Sequence, residues 1–103
     1  MKKSANSGKS KRRKKSRYAL RLYVTGVTAA SQRALANIKE ICEKNFSGNY
    51  ALEIIDLYQQ PELTQKEQII ASPTLVKVHP LPAVKFVGDL SNSSQVISRI
   101  KGH

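Results

Sequence analysis

The stretch "YVTGVTAASQRAL", residues 23–35, decides how the chain is read. It closes an alternating run, passes through small and hydroxylated side chains around Gly26, and opens an apolar pattern of helical spacing. Upstream, Tyr18, Leu20, Leu22 and Val24 share one face of an extended segment, while Ala19, Arg21 and Tyr23 share the other, the period of two that marks a strand. Downstream, Leu35, Ile38, Ile41, Cys42 and Phe46 recur at helical spacing, with Thr28 or Ser31 as N-cap and Gly48 as the stop. The junction therefore reads as strand, loop, helix.

Working outward, "YALEIIDLY" (residues 50–58) is rich in aromatic and β-branched residues and predicts a second strand, ended by the turn residues Gln59, Gln60 and Pro61. "ELTQKEQII" predicts a short helix that buries Leu63, Ile69 and Ile70. "SPTLVKV" and "AVKFV" predict two short strands joined as a hairpin through "HPLP", the second broken by Gly88 and Asp89. "SNSSQVISRIK" then predicts a closing helix, capped by Ser91 or Asn92, that buries Leu90, Val96, Ile97 and Ile100. The order β-α-β-α-β-β-α is the α/β, thioredoxin-like topology: parallel strands linked by a crossover helix, an antiparallel hairpin and a terminal helix. That topology places a cis-proline before its third strand, and Ser72-Pro73-Thr74 sits there. A cis X-Pro bond costs only about 0.5–1 kcal/mol, so Pro73 reads equally as cis or as a trans residue opening a strand.

At 103 residues the chain supports one compact domain with a single core. Its net charge of +11 is unevenly distributed. Residues 1–17 carry Lys2, Lys3, Lys9, Lys11, Arg12, Arg13, Lys14, Lys15 and Arg17, nine positive charges and no acid. The other nine of the 18 basic residues face all seven acids in residues 18–103. With only Met1 and Ala5 as apolar side chains, residues 1–17 are expected to be a disordered basic arm, and residues 18–103 the domain. Such an arm suits nucleic acid, an acidic membrane surface or an acidic protein, or else serves as a solvated tail. No base-reading motif accompanies it, so no specific nucleic-acid partner is expected. Arg21 interrupts the run that would otherwise imitate an export signal, and no apolar stretch reaches the roughly 18–20 residues of a membrane span.

The side chains exclude several chemistries. Cys42 is the only cysteine, so neither an intramolecular disulfide nor a dithiol site can form, and a reducing, cytoplasmic setting is expected. Cys42 also lies on the helical apolar stripe, where it reads as a packed thiol. His79 and His103 are the only histidines and belong to no nucleophile-base arrangement. The carboxylates show no metal-ligand spacing, and the five glycines are too dispersed for a phosphate loop. No catalytic residue, metal site or cofactor is expected; binding remains as the function.

Read in order, "LRLYVTG", "SQRAL", "YALEIIDL", "QQPEL", "SPTLVKV", the prolines around a short apolar connection, and "GDLSN" make residues 18–100 resemble the KaiB family of circadian clock proteins. The resemblance implies a non-enzymatic regulator that binds a KaiC-type ATPase and kinase and modulates its phosphorylation cycle, helping in the oscillator to capture KaiA. It also implies two packings of one sequence, a thioredoxin-like monomer as the binding form and an alternative ground-state fold as a homotetramer, which must differ by only a few kcal/mol. Carried over by position, Arg21, Arg33, Thr74 and Lys77 are the expected partner contacts. Tyr18, Pro73, Gly88 and Asp89 are the expected structural or fold-switch positions. Against the family pattern, Glu53 stands where a basic residue is usual, Ala36 replaces another, Leu81 separates Pro80 from Pro82, and an acidic tail is missing after His103. Charge reversal at an interface selects against wrong partners as well as for right ones. These departures point to a divergent paralogue with a non-standard KaiC partner and leave KaiA capture in question.

Overall fold

A computed structural model describes residues 17–69 and 71–102. Of the expected arm, residues 1–17, all but Arg17 lies outside them, as do Ile70 and His103.

The alternating segment forms β1 (Tyr18–Val24), which lies inside a four-stranded sheet. A loop leads into α1 (Ala29–Asn45), and the chain returns as β2 (Tyr50–Asp56), parallel to β1 with Arg21 opposite Glu53. A short α2 (Glu62–Lys66) precedes β3 (Thr74–His79), antiparallel to β1, and β4 (Val84–Val87) closes a hairpin on β3. The chain ends in α3 (Ser93–Lys101). The sheet order is β2-β1-β3-β4, and all seven expected elements are present in the expected order. Ser72-Pro73 is cis, as are His79-Pro80 and Leu81-Pro82 in the β3–β4 connection.

The period of two in β1 sorts the two cores. Leu20, Leu22 and Val24 meet Ala34, Ile38, Ile41 and Cys42 of α1, with Leu75, Phe86, Val96 and Ile100 completing the larger cluster. Each fully buried aliphatic side chain there contributes about 1.5–3 kcal/mol of transfer free energy. Tyr23 points the other way and packs with Ile55, Leu57 and Ile69, flanked by Leu63 of α2 and Val76. Two faces of one sheet thus carry two clusters.

Boundaries differ from the sequence reading at α2 and β2. Helix α2 stops at Lys66 rather than running to Ile70, because Gln68 adopts φ 55 and the chain leaves the helix while still burying Ile69. Strand β2 stops at Asp56, whose Oδ1 accepts from the N–H groups of Gly26 (3.2 Å) and Tyr58 (2.9 Å) and so turns the chain. Thr28 is the α1 N-cap, but Ser31 also takes part: each side-chain oxygen accepts from the other's backbone N–H at 3.0 Å, a reciprocal capping box.

Candidate partner-binding surface

The strand-loop-helix junction is built for rigidity. Gly26 has φ +72, a conformation that L side chains rarely adopt, and a Cβ there would come within 3.1 Å of the Tyr58 ring. Its N–H is tied to Asp56, while the capping box fixes the start of α1. Across the loop, Thr25 Oγ1 donates to Ser72 Oγ at 3.2 Å, next to cis-Pro73. Beside the junction lies an apolar groove lined by Leu22, Val24, Val27, Leu35 and Ile54, with Val27 largely in solvent.

Two of the four expected contact residues reach the surface. Arg21 lies on the Tyr23 side of the sheet, its Nε 3.3 Å from Glu53 Oε1. A hydrogen bond with Tyr23, followed by the fields of Tyr23, Glu53 and Glu67, holds its pKa above the ordinary value, against a desolvation that lowers it. Arg33 lies on the exposed side of α1, which packs on the opposite face of the sheet, and its Nε sits 3.3 Å from Asp89 Oδ2. Hydrogen bonds from Ser91 first, and the Arg33 guanidinium next, hold the Asp89 carboxyl below its ordinary value. Asn37 Nδ2 donates to the Asp89 carbonyl at 2.7 Å, so α1 grips the loop after β4 at two points. Arg21 and Arg33 thus belong to separate patches on opposite faces.

Thr74 and Lys77 are not on the surface at all. Thr74 is 2% exposed and its hydroxyl donates to the Ala71 carbonyl, a bond that closes the turn into β3. Lys77 is 3% exposed, shares the face of Leu75, and stands in register between Leu20 and Val84. No ion pair among the described residues includes it. As expected partner contacts, both are therefore covered in this arrangement: alternation from buried Leu75 turns Lys77 toward the larger core.

The positions expected to be structural or fold-switch residues make local contacts. Tyr18 packs its ring 4.6 Å from Phe46. Pro73 is buried, and its carbonyl accepts from the N–H of Gly88 at 3.0 Å, linking the start of β3 to the end of β4. Gly88 itself has φ +110. The sequence reading missed Asp56 and Asn37, although the Asx-turn signal of an aspartate closing a strand was available for the first.

Redox chemistry finds no support in the geometry. Cys42 is fully buried, and burial, with the nearby Glu43 carboxylate adding to it, pushes its thiol pKa up to about 12. The thiolate needed for exchange is therefore scarce near neutrality.

Comparison with known proteins settles the lineage. The sequence model of the KaiB domain matches residues 21–100. The chain belongs to the KaiB family. Among KaiB relatives, the circadian clock oscillator protein KaiB of Prochlorococcus marinus subsp. pastoris is 48% identical over 80 residues, covering 78% of this chain and 75% of that protein. The KaiB of Trichodesmium erythraeum is 47% identical over 83 residues, covering 81% and 80%. Solved structures show that this KaiB-family chain has a thioredoxin-like fold. The N-terminal domain of Synechococcus elongatus SasA superposes with a TM-score of 0.69 at 21% identity, covering 85% of this chain and 83% of that one. Chloroplastic thioredoxin z superposes at 0.67 with 18% identity, covering 82% and 75%. Among the described residues, no helix is long and apolar enough to cross a membrane.

Proposed function

We propose that this KaiB-family protein is a non-enzymatic, cytoplasmic clock component that binds a KaiC-type ATPase and modulates its phosphorylation cycle. The observation that carries the reading is the near-half identity to clock oscillator KaiB proteins over most of the domain. The fully buried thiol, whose ionisation is pushed far above neutrality, supports binding over redox catalysis.

Arg21 and Arg33 are the contact residues available in the thioredoxin-like arrangement, each beside a carboxylate that tempers its charge. Thr74 and Lys77 contribute through the position of β3 and become partner contacts only if that strand moves. The thioredoxin-like monomer is the binding form, and a homotetramer with a different packing is its reservoir. Where the competent form is a minor population, apparent affinity falls by that fraction and association is slow. Glu53 in place of a basic residue favours a non-standard KaiC and weakens the case for KaiA.

The test is co-elution of the purified protein with KaiC-type ATPases, with ATP present and after prolonged incubation, read by size-exclusion chromatography with light scattering. A slowly formed complex containing monomeric copies of this chain is expected. Absence of any complex with every KaiC homologue tried overturns the reading.

A further inference from the structure

Strand β2 forms one edge of the sheet, and little in it discourages further pairing. Its seven residues, "YALEIID", include neither proline nor lysine and pair with β1 without a bulge, so the devices that ordinarily blunt a sheet edge are missing from it. The other edge, β4, is only four residues long and carries Lys85.

The hydrogen bonds to β1 decide which groups of β2 stay open. The Tyr18 N–H donates to the Asn49 carbonyl at 3.2 Å, and the Leu57 N–H donates to the Val24 carbonyl at 2.8 Å. In a parallel ladder of this register, those two bonds assign the odd-numbered residues of β2 to β1. The backbone groups of Tyr50, Leu52 and Ile54 therefore point outward, and none has a hydrogen-bond partner among the described residues. Their side chains share the α1 face: Tyr50 and Leu52 pack against the larger cluster, while Ile54, 44% exposed, lines the apolar groove with Leu22, Val24, Val27 and Leu35. An open ladder and an apolar groove thus lie side by side.

We propose that β2 pairs antiparallel with β2 of a second copy of this chain, about a two-fold axis at Ile54, so that the two grooves close on each other. The strand is its own complement in this register. An axis at Glu53 would set two carboxylates directly opposite, which is destabilising. Moving the axis to Ile54 sets Ile54 against its counterpart, Glu53 against Ile55 and Leu52 against Asp56 of the second copy, with no like charges facing. An axis at Leu52 also avoids the clash of charge but moves the centre of contact away from the groove. An isologous contact of this kind closes with two copies and leaves neither β2 edge open. So short an interface belongs with the weak, reversible ones. The dimer keeps the thioredoxin-like arrangement and does not depend on the KaiC-type partner proposed above.

Size-exclusion chromatography with light scattering, run on the full chain over about a hundredfold range of concentration, is expected to move from one chain mass toward two. Ile54→Lys puts a charge on the edge and should hold the protein at one chain mass throughout, with its far-UV circular dichroism unchanged. The register is read by cross-linking. In a hydrogen-bonded antiparallel pair the two Cα atoms lie about 5.5 Å apart, within disulfide reach, so Ile54→Cys oxidised with copper phenanthroline should link most chains in pairs, and Glu53→Cys several-fold fewer. Cys42 is buried and does not compete. One chain mass at every concentration overturns the proposal and leaves β2 to a strand of some other protein. A dimer or tetramer that Ile54→Lys leaves intact also overturns it, as does stronger cross-linking through Glu53→Cys than through Ile54→Cys. None of these measurements uses the KaiC-type ATPase, so the two readings fail independently.

Discussion

Arg21 and Glu53 stand opposite each other in the parallel register of β1 and β2, 3.3 Å apart and partly in solvent, where such a pair is worth at most about 1 kcal/mol. That small value makes a charge swap informative. Arg21→Glu alone sets like charges across the strands and should lower both the melting temperature and KaiC binding. In the Arg21→Glu/Glu53→Arg double variant the pair is restored while the cation moves to the edge strand. Thermal melting should then recover, whereas binding, followed by size-exclusion with the KaiC-type ATPase, should stay about tenfold weaker. Recovery of both would show Arg21 to be only a structural partner of Glu53. The face that Arg21 shares with Tyr23 follows from alternation in its own strand and was legible in the sequence; its exposure was not, because Tyr23 on the same face is buried. Its pairing with Glu53 needs the register, and register comes from how β1 and β2 bury Tyr23 beside Ile55, which one strand alone does not reveal.

Helix α1 shows how local signals specify an element when they agree. Thr28 and Ser31 cap each other reciprocally, Ala34, Ile38, Ile41 and Cys42 face the sheet, and Lys44 lies in the last turn. Thr28→Ala removes a side-chain acceptor for the Ser31 N–H and should cost about 1 kcal/mol. For a domain of this size that lowers the midpoint of thermal unfolding, read by circular dichroism, by about 4–8 °C. Helix α2 is the contrary case. Its predicted span carried apolar residues at both ends, but five residues with no side-chain cap hold little helix by themselves, and the need to bury Ile69 beside Tyr23 and Leu57 bends the chain away at Gln68. Tertiary packing outweighed local spacing there, which is why that boundary escaped the sequence reading.

For the molecule as a whole, the element order and both cores follow from periodicities of two and 3.6, while the burial of Lys77 follows from something pattern alone understates: β3 is an inner strand between β1 and β4, and its Leu75 face packs on the larger core. Lys77 is 3% exposed, in register with Leu20 and Val84, and joins no ion pair among the described residues, so its side chain has lost hydration that burial of the aliphatic stem only partly offsets. Lys77→Met keeps the stem and removes the charge, so it should raise the melting temperature of the thioredoxin-like arrangement by several degrees. A fall in melting temperature would show that the charge itself supports the fold. The same lysine gives the protein a directional bias. Any rearrangement that carries residue 77 into water returns its hydration, so the cation acts as an internal spring pushing β3 outward, and the Met variant, with that push removed, should be caught more fully in the present sheet.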